Sequence, residues 1–234
     1  MRCNHCTHES SCITTVPVFR GLSEAEILPL RKVTHSRSFP KGAFIFREGE
    51  HSDTLFLVQE GLIKLTKTSA EGKEQIVRLL FPGDFFGLFS LLRNEKQYAN
   101  AEAVRSTVIC AIDKTDFLKT IENHSGLSFR FLKAVNDRLY EADESVGNLS
   151  LLAVEQRLAR ALILFYEKIG EPLQTAFTLP ISKKDLASFI GTTPESVSRK
   201  LLYLMSQKFI RLDGTKRVEI LEMSLLKELA GLES

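Results

Sequence analysis

The sequence lacks long hydrophobic runs and a strong net charge, and both absences restrict its function. No stretch approaches the roughly 20 consecutive apolar residues that span a bilayer, and the N-terminus lacks the apolar run of a signal peptide. We therefore expect a cytoplasmic protein with no membrane partner. The 31 basic and 29 acidic residues leave a net charge of only +2, so contact with nucleic acid requires a local basic patch.

Catalytic motifs are also missing. The sequence contains no P-loop, no G-x-S-x-G elbow and no His/Asp pair near a candidate nucleophile. The five histidines all lie at or before residue 124. We therefore expect a protein that is not an enzyme. Its 234 residues, 44% of them hydrophobic, are sufficient for one large folded domain or two smaller ones.

Short apolar runs between Phe39 and Phe117 predict a β domain. The runs AFIF, TLFLVQEG, LIKLTKT, QIVRLLFPGDFFG and STVICAI are separated by turn residues at intervals of about 8–12 residues. This spacing is typical of an antiparallel barrel or jelly roll. The segment SAEGK is expected to form a hairpin turn in which Gly72 adopts a positive φ.

The hydrophobic period changes after this region. Apolar residues recur there at alternating steps of three and four, which indicates a coiled-coil seam on a long helix. The seam residues are Leu132, Val135, Leu139, Ala142, Val146 and Leu149. We expect the seam to form a homodimer, and the alternative is that it packs on the chain's own β domain. A further helix is predicted over Val154–Ile169, because Gly170 and Pro172 then follow as a stop signal.

Residues 182–209 predict a helix-turn-helix. Ser182 is a candidate N-cap for a first helix over Lys183–Phe189, and Gly191 turns the chain. Thr193 then caps a second helix that begins with a proline, where the missing N–H costs nothing. Apolar residues of both helices form the buried stripes. They are Leu186, Ala187 and Ile190 in the first helix and Val197, Leu201 and Leu204 in the second.

The exposed face of the second helix carries side chains that can contact DNA. Arg can bond guanine bidentately, Glu can accept from cytosine N4, and Ser can take either role. The candidate DNA-binding residues are Glu195, Ser198, Arg199, Thr193 and Lys200. An ordinary helical hairpin with a solvated polar face is the alternative interpretation.

Two further features accompany the helix-turn-helix. Between Ile181 and Arg217 there are eight basic residues against three acidic ones, which supplies the local positive charge that phosphate contact needs. The runs Phe209–Leu212 and Arg217–Leu221 flank Asp213-Gly214, a pattern that predicts a winged hairpin beside the phosphates.

The four cysteines require a chemical explanation. Three of them lie in the first twelve residues with the spacing C-x₂-C-x₅-C, and the fourth lies in an apolar strand. The candidate metal ligands are Cys3, Cys6, Cys12 and Cys110. Four soft thiolates suit a [4Fe–4S] cluster. A zinc site completed by His5 or His8, a thiol–disulfide switch, and simple core packing of Cys110 are the alternatives.

The order of a β barrel, a long helix and a winged helix-turn-helix resembles the CRP/FNR family of bacterial transcription regulators over essentially the whole chain. The segments FREGEHSDTLFLVQEGLIKL and FPGDFFG are similar to the family's effector-domain turns, and ESVSR matches its E-x-x-S-R recognition pattern. The resemblance implies base contacts from Glu195, Ser198 and Arg199. It also implies a homodimer that reads an inverted repeat in double-stranded DNA, with RNA polymerase as a partner.

The resemblance implies an α+β fold with a cyclic-nucleotide-binding-like jelly roll, a dimerisation helix and a winged helix-turn-helix. The expected segments are a Cys-rich arm (1–15), a β-barrel sensor domain (16–123), the dimerisation helix (124–152) and the DNA-binding domain (153–234).

The expected signal depends on which branch of the family the chain resembles. The cyclic-nucleotide branch has a Glu after the PGD turn and an Arg about ten residues later. Here these positions hold an apolar Leu88 and a neutral Tyr98, which cannot replace the Glu that bonds the ribose or the Arg that pairs the phosphate charge, so we do not expect cAMP as effector. The cysteine arrangement is similar to that of FNR-type oxygen sensors and implies oxygen or redox sensing through a [4Fe–4S] cluster. A cluster-free disulfide switch is the alternative.

Overall fold

The computed structural model describes residue 13 and residues 16–20, 23–171 and 174–232. It divides into two compact units, Met1–Tyr140 and Glu141–Ser234. Most of the predicted Cys-rich arm lies outside the described residues, which begin at Ile13.

The first unit is an antiparallel β domain built from two four-stranded sheets. Its strands are β1 (Thr34–Phe39), β2 (Phe44–Phe46), β3 (Thr54–Glu60), β4 (Ile63–Thr68), β5 (Glu74–Leu80), β6 (Phe85–Phe86), β7 (Asn100–Ala103) and β8 (Thr107–Asp113). Hydrogen-bonded neighbours follow the order β1-β8-β3-β6 in one sheet and β2-β7-β4-β5 in the other. This arrangement confirms the predicted jelly roll, and the expected hairpin joins β4 to β5 with Gly72 at φ +80°.

Four α-helices begin in the described part of the first unit. They are α1 (Glu24–Val33), α2 (Leu88–Arg93), α3 (Lys114–Asn123) and α4 (Ser125–Leu151). Helix α4 has 27 residues and corresponds to the predicted dimerisation helix. Among the described residues, no helix is both long and apolar enough to cross a membrane.

The sheet that contains β3 and β8 is buried on both faces. Successive side chains in a strand point to opposite faces, so neighbouring residues of β8 join different cores. Ile109 packs in an apolar cluster between the two sheets, together with Phe56 of β3. Cys110 packs in the cluster on the opposite face, together with Leu57 of β3 and Phe131 of α4. The strand alternation therefore directs Cys110 away from the inter-sheet core and toward the helices.

The second unit contains the end of α4 and a small helical domain with a three-stranded sheet. Its other elements are α5 (Val154–Ile169), β9 (Ala176–Thr178), α6 (Lys183–Phe189), α7 (Pro194–Ser206), β10 (Ile210–Asp213), β11 (Arg217–Ile220) and α8 (Met223–Leu229). The strand order is β10-β11-β9. Leu186 and Ala187 of α6 and Val197 and Leu201 of α7 are buried, so the predicted apolar stripes of both helices face the core.

Candidate functional site

Helices α6 and α7 form the predicted helix-turn-helix, and their caps form as expected. The Ser182 hydroxyl accepts a hydrogen bond from the Asp185 amide at 3.0 Å. The Thr193 hydroxyl accepts one from the Ser196 amide at 3.2 Å. Gly191 turns the chain at φ +67°, a conformation that side-chain-bearing residues rarely adopt. Each cap satisfies one amide that the helix itself leaves unpaired, which defines where both helices begin.

The predicted base-reading residues lie on one face in the first half of α7. Glu195, Ser198 and Arg199 are three and four residues apart, so their side chains project from the same side of the helix. Glu195 and Arg199 are exposed and Ser198 is half-buried. This face combines a carboxylate, a hydroxyl and a guanidinium, which are groups that can hydrogen-bond to base edges in a major groove.

The Glu195 carboxylate is held in its charged form. Its own backbone amide lowers the pKa of this carboxyl most, followed by the Thr193 hydroxyl, and the Arg199 charge adds a smaller contribution. A charged carboxylate only accepts hydrogen bonds, so Glu195 is suited to a cytosine amino group. Thr193 thus caps α7 and also orients a base-reading candidate.

Lys200 occupies a different environment from Glu195 and Arg199. Its ammonium forms an ion pair with Glu155 of α5, with Nζ and Oε2 separated by 3.0 Å. The Lys200 nitrogen also lies 5.8 Å from the centre of the Tyr203 ring. Lys200 was predicted to be a DNA-binding residue, and nothing in the sequence pattern indicated its partner on another helix.

The predicted wing is an antiparallel hairpin of β10 and β11. Asp213 pairs with Arg217 at its tip, where Gly214 has φ +65°. Lys216 and Arg217 are exposed at this tip. The hairpin therefore presents cations on the same small domain as the recognition face.

The predicted seam on α4 is exposed in the single chain. The aliphatic members Leu132, Val135, Leu139, Val146 and Leu149 are between 40% and 66% exposed. Ala142 is also exposed. An exposed apolar stripe of this length on one helix is typical of an association surface.

A cavity of about 170 Å³ lies in the first unit. Its lining is rich in aromatic side chains and includes Leu88 and Tyr98, the two positions singled out in the sequence. Arg138 of α4 also lines it and bonds the Asp84 carboxylate at 2.9 Å. Arg78 lies 3.9 Å from the same carboxylate. Nothing in the sequence pattern indicated these two arginines, although their partner Asp84 belongs to the PGD turn.

Cys110 is the one cysteine in the described part of the chain, and it is fully buried. It is disulfide-bonded. Its sulfur lies 3.6 Å from Oε1 of Gln59. Ile13 belongs to the same apolar cluster as Cys110. The other three predicted ligands, Cys3, Cys6 and Cys12, lie outside the described residues, and no group of three or more potential metal ligands occurs within them.

Comparisons with known proteins agree with this two-part architecture. The profile of the cyclic nucleotide-binding domain matches residues 36–124, and that of the Crp-like helix-turn-helix domain matches residues 156–229. The cyclic AMP receptor protein of Thermus thermophilus is 34% identical over 215 residues, covering 92% of this chain and 96% of that protein. The anaerobic regulatory protein of Bacillus subtilis is 26% identical, covering 81% of each chain.

The solved structure of FixK2 from Bradyrhizobium japonicum shares the fold, with a TM-score of 0.79 at 23% sequence identity. The alignment covers 86% of this chain and all of that one. The relatives are transcription regulators rather than enzymes, which confirms the expectation from the missing catalytic motifs. The chain belongs to the CRP/FNR family of DNA-binding transcription regulators.

Proposed function

We propose that this regulator reads an inverted-repeat operator as a homodimer, with Glu195, Ser198 and Arg199 of each protomer contacting bases. The observation that carries the proposal is the shared exposed face of these residues at the start of a capped helix. Thr193 fixes the start of this helix through its capping hydrogen bond, and the cations at the tip of the wing are suited to phosphate contact. Such a regulator works in the cytoplasm, where it meets RNA polymerase on DNA.

The exposed seam of α4 supports the homodimer. A helix-turn-helix dimer contacts two half-sites about one helical turn apart, so its operator has the symmetry of the protein. The seam residues form an exposed apolar stripe on α4 that a second copy of the same helix would cover.

The DNA-reading proposal is tested by selecting duplexes from a randomised library with the full-length protein. We expect an inverted repeat. Arg199→Ala should weaken binding to the selected duplex by about 1–3 kcal/mol per contact and change binding to random duplex little, because a bidentate guanine contact is lost. Lys216→Ala is the matched control and should weaken both equally. Equal losses on both duplexes for Arg199→Ala would assign Arg199 to phosphate contact instead.

We further propose that the cysteines sense oxygen or redox state through a [4Fe–4S] cluster held by Cys3, Cys6, Cys12 and Cys110. Cys110 would fit this role in its reduced form, because its side chain packs in the apolar group that also contains Ile13, the first residue that the structure describes. The disulfide at Cys110 would have to be reduced first, because only a thiolate binds iron. Four thiolates match the donor set of such a cluster, which would supply oxygen-sensitive redox chemistry when bound. A relative named as an anaerobic regulatory protein is consistent with this signal.

A disulfide switch is the second candidate, and it is favoured by the disulfide at Cys110. The two candidates differ in their need for iron. Protein purified without oxygen should be brown, should contain iron and sulfide, and should bleach in air if the cluster forms. Colourless protein after anaerobic reconstitution, together with thiols that are lost and recovered reversibly with peroxide and reductant, would select the disulfide switch.

The cavity supports the exclusion of cAMP as effector. At about 170 Å³ it is smaller than the roughly 300–1,000 Å³ typical of sites for drug-sized ligands. Leu88 and Tyr98 offer no charge to a ribose or a phosphate, and Arg138 is engaged by Asp84. Titration calorimetry with cAMP should show no binding, and saturable binding accompanied by tighter operator affinity would overturn this part of the proposal.

A further inference from the structure

The recognition helix α7 is connected to α5 by a defined ion pair. The Lys200 ammonium lies 3.0 Å from the Glu155 carboxylate, and both side chains are about one-third exposed. The opposing charges are therefore partly shielded from water, which makes their attraction stronger than that of a fully solvated pair.

Glu155 lies where α5 begins, just after α4 ends. Ala153 is the N-cap of α5, so Glu155 is in the first turn of the helix, where a negative charge is favourable. Its own backbone amide lowers the pKa of the Glu155 carboxyl most, and a hydrogen bond from Lys200 lowers it further. The carboxylate is therefore charged near neutral pH and available to Lys200.

A second contact connects the helix-turn-helix to the same region. A Cβ placed on Gly191, in the turn before α7, would lie 2.7 Å from Cδ2 of Leu149 near the end of α4. The Arg157 guanidinium donates to the Leu149 carbonyl at 3.3 Å. The turn before α7 and the middle of α7 are thus both held against the region where α4 ends and α5 begins.

We propose that Lys200 is a positioning residue: its ion pair with Glu155 sets the orientation of α7, and Lys200 does not neutralise a DNA phosphate. The proposal rests on the DNA-reading function and assigns a different role to a residue that the sequence grouped with the DNA contacts. For Lys200 to move to a phosphate it must leave Glu155, and a partly buried carboxylate would then lose its counter-charge. Glu155 thereby specifies where Arg199, the residue before Lys200 on α7, meets the bases.

The salt dependence of DNA binding distinguishes the two roles. A lysine that contacts phosphate releases counterions, so its removal lowers the slope of log affinity against log salt by about 1 per contact. A positioning lysine changes the affinity for the specific site and leaves that slope unchanged. The matched phosphate control is Lys216→Gln, because Lys216 is exposed at the tip of the wing.

The experiment measures binding of full-length Lys200→Gln, Glu155→Gln and the double variant to two duplexes of equal length. One duplex is the inverted repeat selected by the wild-type protein, and the other has random sequence. Affinity is measured between about 50 and 200 mM salt. Each single variant should bind the selected duplex with roughly 5- to 30-fold lower affinity, because the ion pair occurs twice per dimer. The affinity for the random duplex should change little. The affinity of the double variant for the selected duplex should be no lower than that of either single variant, because the two residues act through the same ion pair.

Reversal of the pair separates positioning from a general loss of folding. The exchanged variant Lys200→Glu/Glu155→Lys should recover most of the specific affinity, although it places a negative charge on α7. A slope lowered by about 2 in Lys200→Gln, which is about 1 for each protomer of the dimer, with Glu155→Gln binding normally, would overturn the proposal and assign Lys200 to phosphate. Wild-type affinity in both single variants would also overturn it. If the wild-type protein selected no consensus, the DNA-reading function itself would fail, which is a distinguishable result.

Discussion

Truncation of the α4 seam should weaken dimerisation by an amount that the structure allows us to calculate. Leu139 is 61% exposed in the single chain, and we expect a second copy of α4 to cover it. Complete burial of a leucine side chain is worth about 1.5–3 kcal/mol, so covering the exposed part contributes about 1–2 kcal/mol. The residue occurs twice in the dimer, which gives about 2–4 kcal/mol for Leu139→Ala, or roughly 30- to 700-fold in the dimer Kd.

Leu151→Ala provides a matched control for this prediction. Leu151 is on the same helix and is 83% exposed, but it does not belong to the repeating seam. Sedimentation equilibrium of wild type and both variants, each purified without oxygen and then exposed to air, gives the dimer Kd in both states. Equal dimer Kd values for the two leucine variants would refute the proposal that the seam forms the dimer interface. A wild-type protein that remained monomeric in both states while binding its operator would refute the dimer.

Three further perturbations test local features of the structure. Gly191→Ala should destabilise the second unit by about 1–3 kcal/mol in thermal unfolding, because it places a Cβ against Leu149 at positive φ, and an unchanged melting temperature would contradict this. Phe131→Ala should cost about 3–5 kcal/mol in urea unfolding, since its ring packs edge-on against three other phenylalanines. Phe129→Ala, at an exposed position of the same helix, should have a free energy of unfolding within about 0.5 kcal/mol of the wild-type value. The lowered pKa of Glu155 stabilises the fold above the ordinary pKa of about 4.3, and this contribution disappears as pH falls through the lowered value. The free energy of unfolding of the wild type should therefore exceed that of Glu155→Gln by less than about 1 kcal/mol at pH 7. In strong acid the two free energies should be equal. A difference that grew on acidification would contradict the expected sign.

Local patterns were sufficient to predict most of the second unit. The cap residues Ser182 and Thr193 and the glycine between them act on their own backbone neighbourhoods, so the bounds of α6 could be read from the sequence. The bounds of α5 followed in the same way from a helical period and a stop signal.

The predicted strands of the first unit had continuous apolar runs, and the elements without such runs were missed. Strand β1, with the sequence THSRSF, and strand β7, with the sequence NAEA, contain few large apolar residues. Each pairs with a strongly apolar neighbour, β8 and β4 respectively. Backbone pairing with that neighbour, rather than intrinsic propensity, makes them strands.

The sequence by itself determined the family architecture and predicted the seam and the recognition face, because each depends on residues close together along the chain. Only the tertiary structure decided which partners those residues have. Lys200 and Glu155 are far apart in sequence, and so are Arg138 and Asp84, so neither pairing leaves a periodic signal. Contacts of this kind depend on how helices and strands pack, which no local pattern specifies.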